Sequence, residues 1–179
     1  MHKTHSTKLK QIKQETDKLQ IRHSSADEID TLMEIFEEAK SIMRADGNML
    51  QWTGNYPSRE LILSEIAQGN SYVCVNHENK VVGTFAFIVG KDPTYQIIYD
   101  GAWLEDCTTY GTIHRLASRC NEHGIAAACL EWCFQQVPNL RADTHRNNRI
   151  LQYILTKHGF SYCGIIHLLN GDERLAYQK

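Results

Sequence analysis

The chain has 179 residues, 42% of them hydrophobic, and a formal net charge of −2 at pH 7. That length supplies one domain with a sizeable core and is too short for two ordinary domains. The slightly acidic charge argues against the broad basic surface with which nucleic-acid-binding proteins neutralise phosphates, so nucleic acid is not expected as a partner.

Membrane association and metal binding are not expected either. The chain has no apolar run of the roughly 18 residues that a helix needs to cross a bilayer, and its first residues lack the apolar core of a signal peptide. Several of the six cysteines lie in apolar runs, as small core residues do in a reducing compartment, so we expect a cytoplasmic protein. Cys120 and His123, with His114 or His145, match only part of a zinc ligand set, so no metal site is predicted.

The first half of the chain predicts a short strand, two helices and a hairpin. Residues 1–18 contain only three apolar residues and are expected to form a mobile polar tail. A strand over residues 19–23 precedes a helix that opens at the capping-box pair Ser25 and Glu28. The apolar face of this helix is predicted to hold Ile29, Leu32, Met33, Phe36, Ile42 and Met43.

A second helix is predicted to end near Gln68, and two β-rich runs follow it. They cover residues 71–75 and 80–89, and the polar turn between them predicts an antiparallel hairpin. Residues 94–109 carry a weaker pattern, with a strand expected around residues 96–99 inside an insertion.

Residues 112–160 predict a strand, a glycine turn, an apolar helix, a second strand and an amphipathic helix that ends at Gly159. The strands cover residues 113–118 and 140–144. Gly124 lies where the apolar helix begins, so backbone N–H groups there are open to an anion. Two further strands, residues 161–169 and 174–178, flank a tight-turn sequence.

Together these elements predict one domain over residues 19–179 of the α/β (α+β) class. Their order is β, α, α, β, β, β, α, β, α, β, β. It indicates a mixed, mostly antiparallel sheet of about seven strands flanked by about four helices.

Two motifs in this stretch resemble the core of the GCN5-related N-acetyltransferase (GNAT) superfamily. The cofactor loop of that family reads Gln/Arg-x-x-Gly-x-Gly/Ala, and residues 121–126 read Asn-Glu-His-Gly-Ile-Ala. The second motif, an Asn, a helix and Lys-x-Gly-Phe, is matched by Asn148, Lys157, Gly159 and Phe160. Asn121 replaces the Gln or Arg, and Leu155 stands where the family often has a Tyr.

The resemblance implies acetyl-CoA as co-substrate and a GNAT-like fold. In that fold the strands at 113–118 and 140–144 splay apart, pantetheine pairs with the exposed strand edge, and the loop N–H groups bind the pyrophosphate. Asn148 would hydrogen-bond the pantetheine arm, or would simply cap its helix. The residues assigned to the co-substrate are Leu116, Ser118, Asn121, His123, Gly124, Ile125, Ala126 and Asn148.

Acetyl transfer to an amine needs a base, because an alkylamine is protonated at neutral pH and a cation is no nucleophile. Alternation along a strand puts Thr112, His114 and Leu116 on one face, with His114 toward the thioester. An imidazole suits proton removal near neutrality. His114 could instead orient the substrate or serve only the sheet, and Asp143 and His145 are rival bases.

The resemblance also places the connection between the first two helices over the acceptor. Trp52 and Tyr56 are therefore candidate walls of the acceptor pocket, although both could simply cover the edge of the core. The insertion at residues 94–109 is expected near the acceptor too.

The function that these features predict is acetyl-CoA-dependent N-acetylation of a primary amine, small molecule or peptide, by direct attack without a covalent enzyme intermediate. Asn121 and Leu155 leave open a catalytically degenerate protein that binds acyl-CoA as a regulatory module. A homodimeric scaffold that uses residues 161–178 as its interface is a third hypothesis.

Overall fold

The computed structural model describes residues 19–105 and 109–179, so the predicted N-terminal tail lies outside the described residues. The strands are β1 (Gln20–His23), β2 (Ser71–Val75), β3 (Val81–Val89), β4 (Gly111–Ser118), β5 (Leu140–Thr144), β6 (Ser161–His167) and β7 (Glu173–Gln178). The helices are α1 (Ile29–Ala45), α2 (Arg59–Ala67), α3 (Ile125–Gln136) and α4 (Arg149–Lys157). None of the described helices is long and apolar enough to span a membrane.

The seven strands form one mixed sheet in the order β1-β2-β3-β4-β5-β7-β6. Only β4 and β5 pair in parallel, and the other neighbours are antiparallel. This architecture and the element order confirm the predicted fold class. The strand expected at residues 96–99 is wrong, because Asp92 caps a 3-10 turn at Pro93–Tyr95 and only Tyr99 forms an isolated bridge, with Ile165.

Helix α1 begins at the predicted capping box, in which the Ser25 backbone N–H donates to Glu28 at 2.9 Å. Its buried face differs from the prediction, since Met33 is only partly buried and Ile42 is 36% exposed. At 100° per residue Ile42 lies about 80° from Leu32 around the helix, at the margin of the apolar stripe. Ile35, which the prediction omitted, is fully buried instead.

Helix α3 packs against the sheet and contributes Ile125, Cys129, Leu130 and Cys133 to the larger core cluster. Gly83 on β3 permits this approach, because a Cβ at that position would overlap the side chain of Ile125. The helix therefore begins close to the sheet, directly after β4. The described cysteines are buried as expected, except Cys120, which is exposed in the loop before α3.

A β-bulge in β4 breaks the predicted alternation of side chains. Ala86 pairs with His114 and Thr84 with Ala117, so two β4 residues oppose one β3 residue, and Arg115 has a φ of 53°. As a result Leu116 packs in the cluster beside α3, whereas Ala117 packs in the cluster beneath α1. The expectation that Leu116 shares a face with His114 is therefore wrong.

Strands β4 and β5 separate after three paired positions. Their pairing runs from Gly111 with Leu140 to Ile113 with Ala142, although both strands continue beyond that point. A gap therefore opens between the carboxyl ends of the two parallel strands, as the resemblance implied.

Candidate functional site

A cavity of about 720 Å³ lies at the gap between β4 and β5. Its floor is formed by residues 113–118 of β4 and by Ala142 and Asp143 of β5. Side chains from α3, α4, the α1–α2 connection, the segment after β3 and the β6–β7 turn complete the walls. The cavity thus brings together residues from most elements that the sequence analysis singled out.

The edge of β4 in this gap carries main-chain groups that β3 does not use. The N–H of Arg119 donates to Val82 of the β3 side at 2.9 Å. Because main-chain groups alternate along a strand, those of Leu116 and Ser118 point away from β3, into the gap. Both residues line the cavity, so an extended amide-bearing chain could pair with this edge.

The start of α3 offers donors for an anion. Gly124 adopts a left-handed φ of 76° as its N-cap, and a Cβ there would meet nothing within 4 Å. The first N–H groups of a helix have no intrahelical partner, so those of residues 125–127 remain to bind an anion at the positive end of the helix dipole. Earlier in the loop, Cys120 already donates its N–H to Glu38 at 3.1 Å.

The residues assigned to the co-substrate differ in their relation to the cavity. Ala126 and Asn148 line it, as do the two β4 residues, whereas Asn121, His123, Gly124 and Ile125 do not. Ile125 is buried in the core, and the other three lie on the loop before the helix.

Asn148 is the N-cap of α4, as the sequence alternative held. Its Oδ1 accepts from the Leu151 N–H at 3.0 Å, and its Nδ2 donates to Gln51 Oε1 at 2.9 Å. Gln51 also accepts from Asn48, so a buried amide network joins the α1–α2 connection to α4. Asn148 therefore fixes the start of α4 relative to the α1–α2 connection.

His114 is held by a carboxylate that follows β3. Its Nε2 lies 2.9 Å from Asp92 Oδ2, and its Nδ1 lies 3.9 Å from Asp143 Oδ1. Burial alone would raise the pKa of Asp92, but hydrogen bonds from His114 and Thr94 outweigh it and hold that pKa below its usual value. An ionised Asp92 only accepts hydrogen bonds, so Nε2 carries the proton and the lone pair of the neutral ring is at Nδ1.

Asp143 lies on the other side of His114. Its Oδ1 accepts from the Tyr95 hydroxyl at 2.6 Å, and its Oδ2 lies 3.9 Å from Arg174 Nε. Burial, and then the charge and hydrogen bond of Asp143, raise the pKa of Tyr95 well above its usual value. Tyr95 therefore stays protonated and donates to Asp143 throughout the neutral range.

His145, the rival base, does not line the cavity. Its Nδ1 accepts from the Asn147 N–H at 3.1 Å in the turn after β5. Burial, followed by the charges of Arg174 and Arg146, lowers the pKa of His145 below its usual value. This side chain stabilises the turn rather than facing the gap.

Trp52 and Tyr56 both line the cavity. The Trp52 ring packs edge-on against Phe36 of the core, with ring centroids 5.8 Å apart. The Tyr56 hydroxyl accepts from Arg115 Nη1 at 2.9 Å. Arg115 in turn forms an ion pair with Glu65 of α2, and both side chains are nearly buried.

We expect Glu65→Ala to lower the free energy of unfolding by about 3 kcal/mol, because it leaves the Arg115 charge buried without its partner. The melting temperature would fall by roughly 6–12 °C. The matched control is Glu173→Ala, which removes the partner of Arg146 from an ion pair that is half exposed. Its cost should stay below about 1 kcal/mol, and equal losses in the two variants would contradict the assignment.

Leu155 forms an apolar part of the cavity wall and is 1% exposed within the core. Because its side chain is a hydrocarbon, it cannot donate a proton. Hydroxyl groups among the lining residues come instead from Thr53, Tyr56, Thr94 and Ser118. Within residues 19–105 and 109–179, no group of three or more His, Cys, Asp or Glu side chains could hold a metal ion.

Sequence reasoning missed two groups near His114, the Asp92 carboxylate and the Tyr95 ring. The sequence pattern assigns no role to either residue. Asp92 lies 22 positions before His114, so no local spacing connects them. The dipeptide Asp92-Pro93 was nevertheless a visible turn signal. An Asp at the start of a turn often hydrogen-bonds the backbone, which fixes the position of its carboxylate.

Comparisons with known proteins agree with this geometry. The chain is similar to a GNAT family acetyltransferase from Streptococcus agalactiae, with 36% identity, a TM-score of 0.82, and coverage of 90% of this chain and 94% of that one. It also resembles GNAT family acetyltransferases from Listeria monocytogenes and Bacillus cereus, at 15% and 18% identity, with TM-scores of 0.65 and 0.61. These two cover 90% of this chain and 94% and 96% of their own, and they support the fold alone. No family model and no curated protein matches the sequence.

Proposed function

Because the chain belongs to the GNAT family of acetyltransferases, we propose that it transfers the acetyl group of acetyl-CoA to a primary amine by direct attack. The single observation that carries this proposal is the position of His114. It lies between two carboxylates, on the strand whose main-chain edge borders the gap. A regulatory module without catalysis has no need of a fixed imidazole at that point.

The fit of the residues to acetyl-CoA supports the proposal. The gap beside β4 offers unpaired main-chain groups at Leu116 and Ser118 for the amides of pantetheine. The first N–H groups of α3, around Ala126, would bind the pyrophosphate. Acetyl-CoA supplies an activated thioester, and the protein residues bind and orient its reaction partner.

His114 acts as the base in this proposal. The acceptor arrives as an ammonium ion, which Asp143 attracts, and it gives one proton to the lone pair on Nδ1 of His114. Asp92 holds the opposite ring nitrogen, fixes the tautomer and stabilises the imidazolium that forms. The neutral amine is then a nucleophile next to the gap.

The amine nitrogen then forms a bond to the carbonyl carbon, and the bond from that carbon to sulfur breaks. The amine nitrogen loses its second proton to water, and the departing thiolate gains one. Leu155 cannot donate it, but a thiolate is a stable leaving group that water or the imidazolium of His114 can protonate. The missing tyrosine therefore does not prevent turnover.

Asp92→Asn tests the positioning role. We expect kcat to fall roughly 10- to 100-fold, because the amide neither fixes the tautomer of His114 nor stabilises its imidazolium. The dissociation constant for acetyl-CoA should change less than about twofold, since Asp92 lies on the acceptor side. The measurement is the pH dependence of kcat together with acetyl-CoA binding by calorimetry.

Asp172→Asn is the matched control, because Asp172 lines the same cavity and does not contact His114. It should leave the pH dependence of kcat unchanged. A parallel loss in both variants, or an unaltered pH dependence in Asp92→Asn, would contradict the positioning role of Asp92.

A further inference from the structure

We propose that the acceptor is a monoamine with an apolar body rather than a diamine, a polyamine or an amino acid. Its ammonium group lies at Asp143 and His114, and its apolar body lies between the α1–α2 connection and the β6–β7 turn. This inference rests on the proposed acetyl transfer and specifies its substrate class.

Of the carboxylate oxygens of Asp92 and Asp143, only Asp143 Oδ2 receives no hydrogen bond from the described residues, and it lies 3.9 Å from Arg174 Nε. Both oxygens of Asp92 are engaged, Oδ1 by Thr94 and Oδ2 by His114. Oδ1 of Asp143 accepts from Tyr95, whereas Oδ2 receives no hydrogen bond within residues 19–105 and 109–179. Asp143 Oδ2 is therefore the acceptor atom that an incoming ammonium would meet.

Among the described residues, the other charged side chains on this side of the cavity do not provide a second site for an ammonium group. Asp172 Oδ2 accepts from Asn170 at 3.0 Å and lies 3.7 Å from Arg174. Arg174 also lines the cavity and is close enough to offset the charge of Asp172, so a second ammonium would find no carboxylate there without a cation beside it. A diamine would thus lose the hydration of its second ammonium group without a compensating carboxylate.

An amino acid acceptor is disfavoured for a related reason. Its carboxylate would need an arginine, but Arg115 is already paired with Glu65, and Arg174 lies between Asp143 and Asp172. A carboxylate brought to Arg174 would face two carboxylates within about 4 Å of the same guanidinium, which is unfavourable at short range.

The walls beyond Asp143 are apolar and unusually exposed. Leu169 is 93% exposed on the β6–β7 turn, and Leu50 is 64% exposed on the α1–α2 connection. Both line the cavity with Leu168, Trp52 and Ile88. An apolar acceptor body would cover these side chains, and burying apolar surface is favourable in proportion to its area.

The discriminating experiment compares pentylamine with 1,4-diaminobutane and 4-aminobutanoate at saturating acetyl-CoA. Pentylamine and the diamine both carry four methylenes after the reacting nitrogen and differ in a terminal methyl or amino group. We expect kcat/KM to be at least about tenfold higher for pentylamine than for either competitor, because only the methyl group suits the apolar walls. The acetylated amines are quantified by mass spectrometry.

Leu169→Glu places a carboxylate where the apolar body of the acceptor is proposed to bind. The position is an exposed turn, so folding should be unaffected. It should lower kcat/KM for pentylamine and raise it for the diamine, so that their ratio falls at least about tenfold. The control is Leu104→Glu, also at an exposed leucine, which does not line the cavity and should leave the ratio unchanged.

The results separate this inference from the proposed function. Faster turnover of the diamine or the amino acid would overturn the inference while acetyl transfer itself stands. An unchanged ratio in Leu169→Glu would also overturn it. If acetyl-CoA binds but none of the three amines is acetylated, the inference fails as well, and failure of acetyl-CoA to bind would defeat the proposed function itself.

Discussion

Replacing His114 by glutamine should lower kcat at pH 7 by about 100- to 10,000-fold, because the acceptor ammonium then has no base at the gap. Glutamine keeps the size and hydrogen-bonding capacity of the side chain next to Asp92. Acetyl-CoA should bind as before, since its proposed contacts are to the main chain of β4 and to α3. The measurement is the release of free thiol, with binding followed separately.

The pH dependence gives this prediction a distinctive signature. An alkylamine has a pKa near that of lysine, about 10.4, so the neutral amine becomes abundant in solution as the pH rises. The rate of His114→Gln should therefore climb steadily between pH 7 and 9.5 and approach that of the parent protein. Retention of more than about a third of the parent activity at pH 7 would contradict a base role for His114.

Replacing Ala126 by glutamate should weaken acetyl-CoA binding by at least about 100-fold. A carboxylate a few ångströms from the pyrophosphate costs about 3 kcal/mol at the effective dielectric constant of a protein surface. The same carboxylate suits the positive end of a helix, so the fold of α3 should not suffer. Calorimetric titration with acetyl-CoA measures the effect.

Ala128→Glu is the matched control, because it adds the same charge to α3 at a position that does not line the cavity. Its dissociation constant should rise much less than that of Ala126→Glu. If both variants bind acetyl-CoA equally well, the start of α3 is not the binding site of the pyrophosphate.

Most of the fold could be predicted from sequence because its signals are local. The capping box at Ser25, the turn at residues 170–172 and the 3.6-residue periodicity of α4 each specify an element without reference to the rest of the chain. The order of those elements then allowed few topologies. The motif around Gly124 located the splayed strands because a glycine is favoured where the chain takes a left-handed φ just before the helix begins.

The candidate site was only partly predictable, since its geometry depends on contacts distant in sequence. The bulge at Arg115 reverses the face of Leu116, and nothing in the residues of β4 indicates it, because an arginine with positive φ is uncommon. Asp92 reaches His114 only after the segment following β3 folds back over the sheet. The pairing of Arg115 with Glu65 likewise joins β4 to a helix 50 positions earlier.

The segment after β3 packs through aromatic side chains against the sheet. Tyr95 stacks on Trp103, and Arg141 lies 4.0 Å from the ring centroids of both Trp103 and Tyr110. These contacts fix the segment against β5, the strand that bears Asp143. The carboxylates around His114 are thus positioned by one packed unit.

The most direct test of the central claim is to incubate the parent protein with acetyl-CoA and pentylamine and to follow both products. Free thiol and N-acetylpentylamine should appear in equal amounts, and no acetylated protein should accumulate. Binding of acetyl-CoA without any acetylated amine, for pentylamine or for other primary amines, would contradict the account.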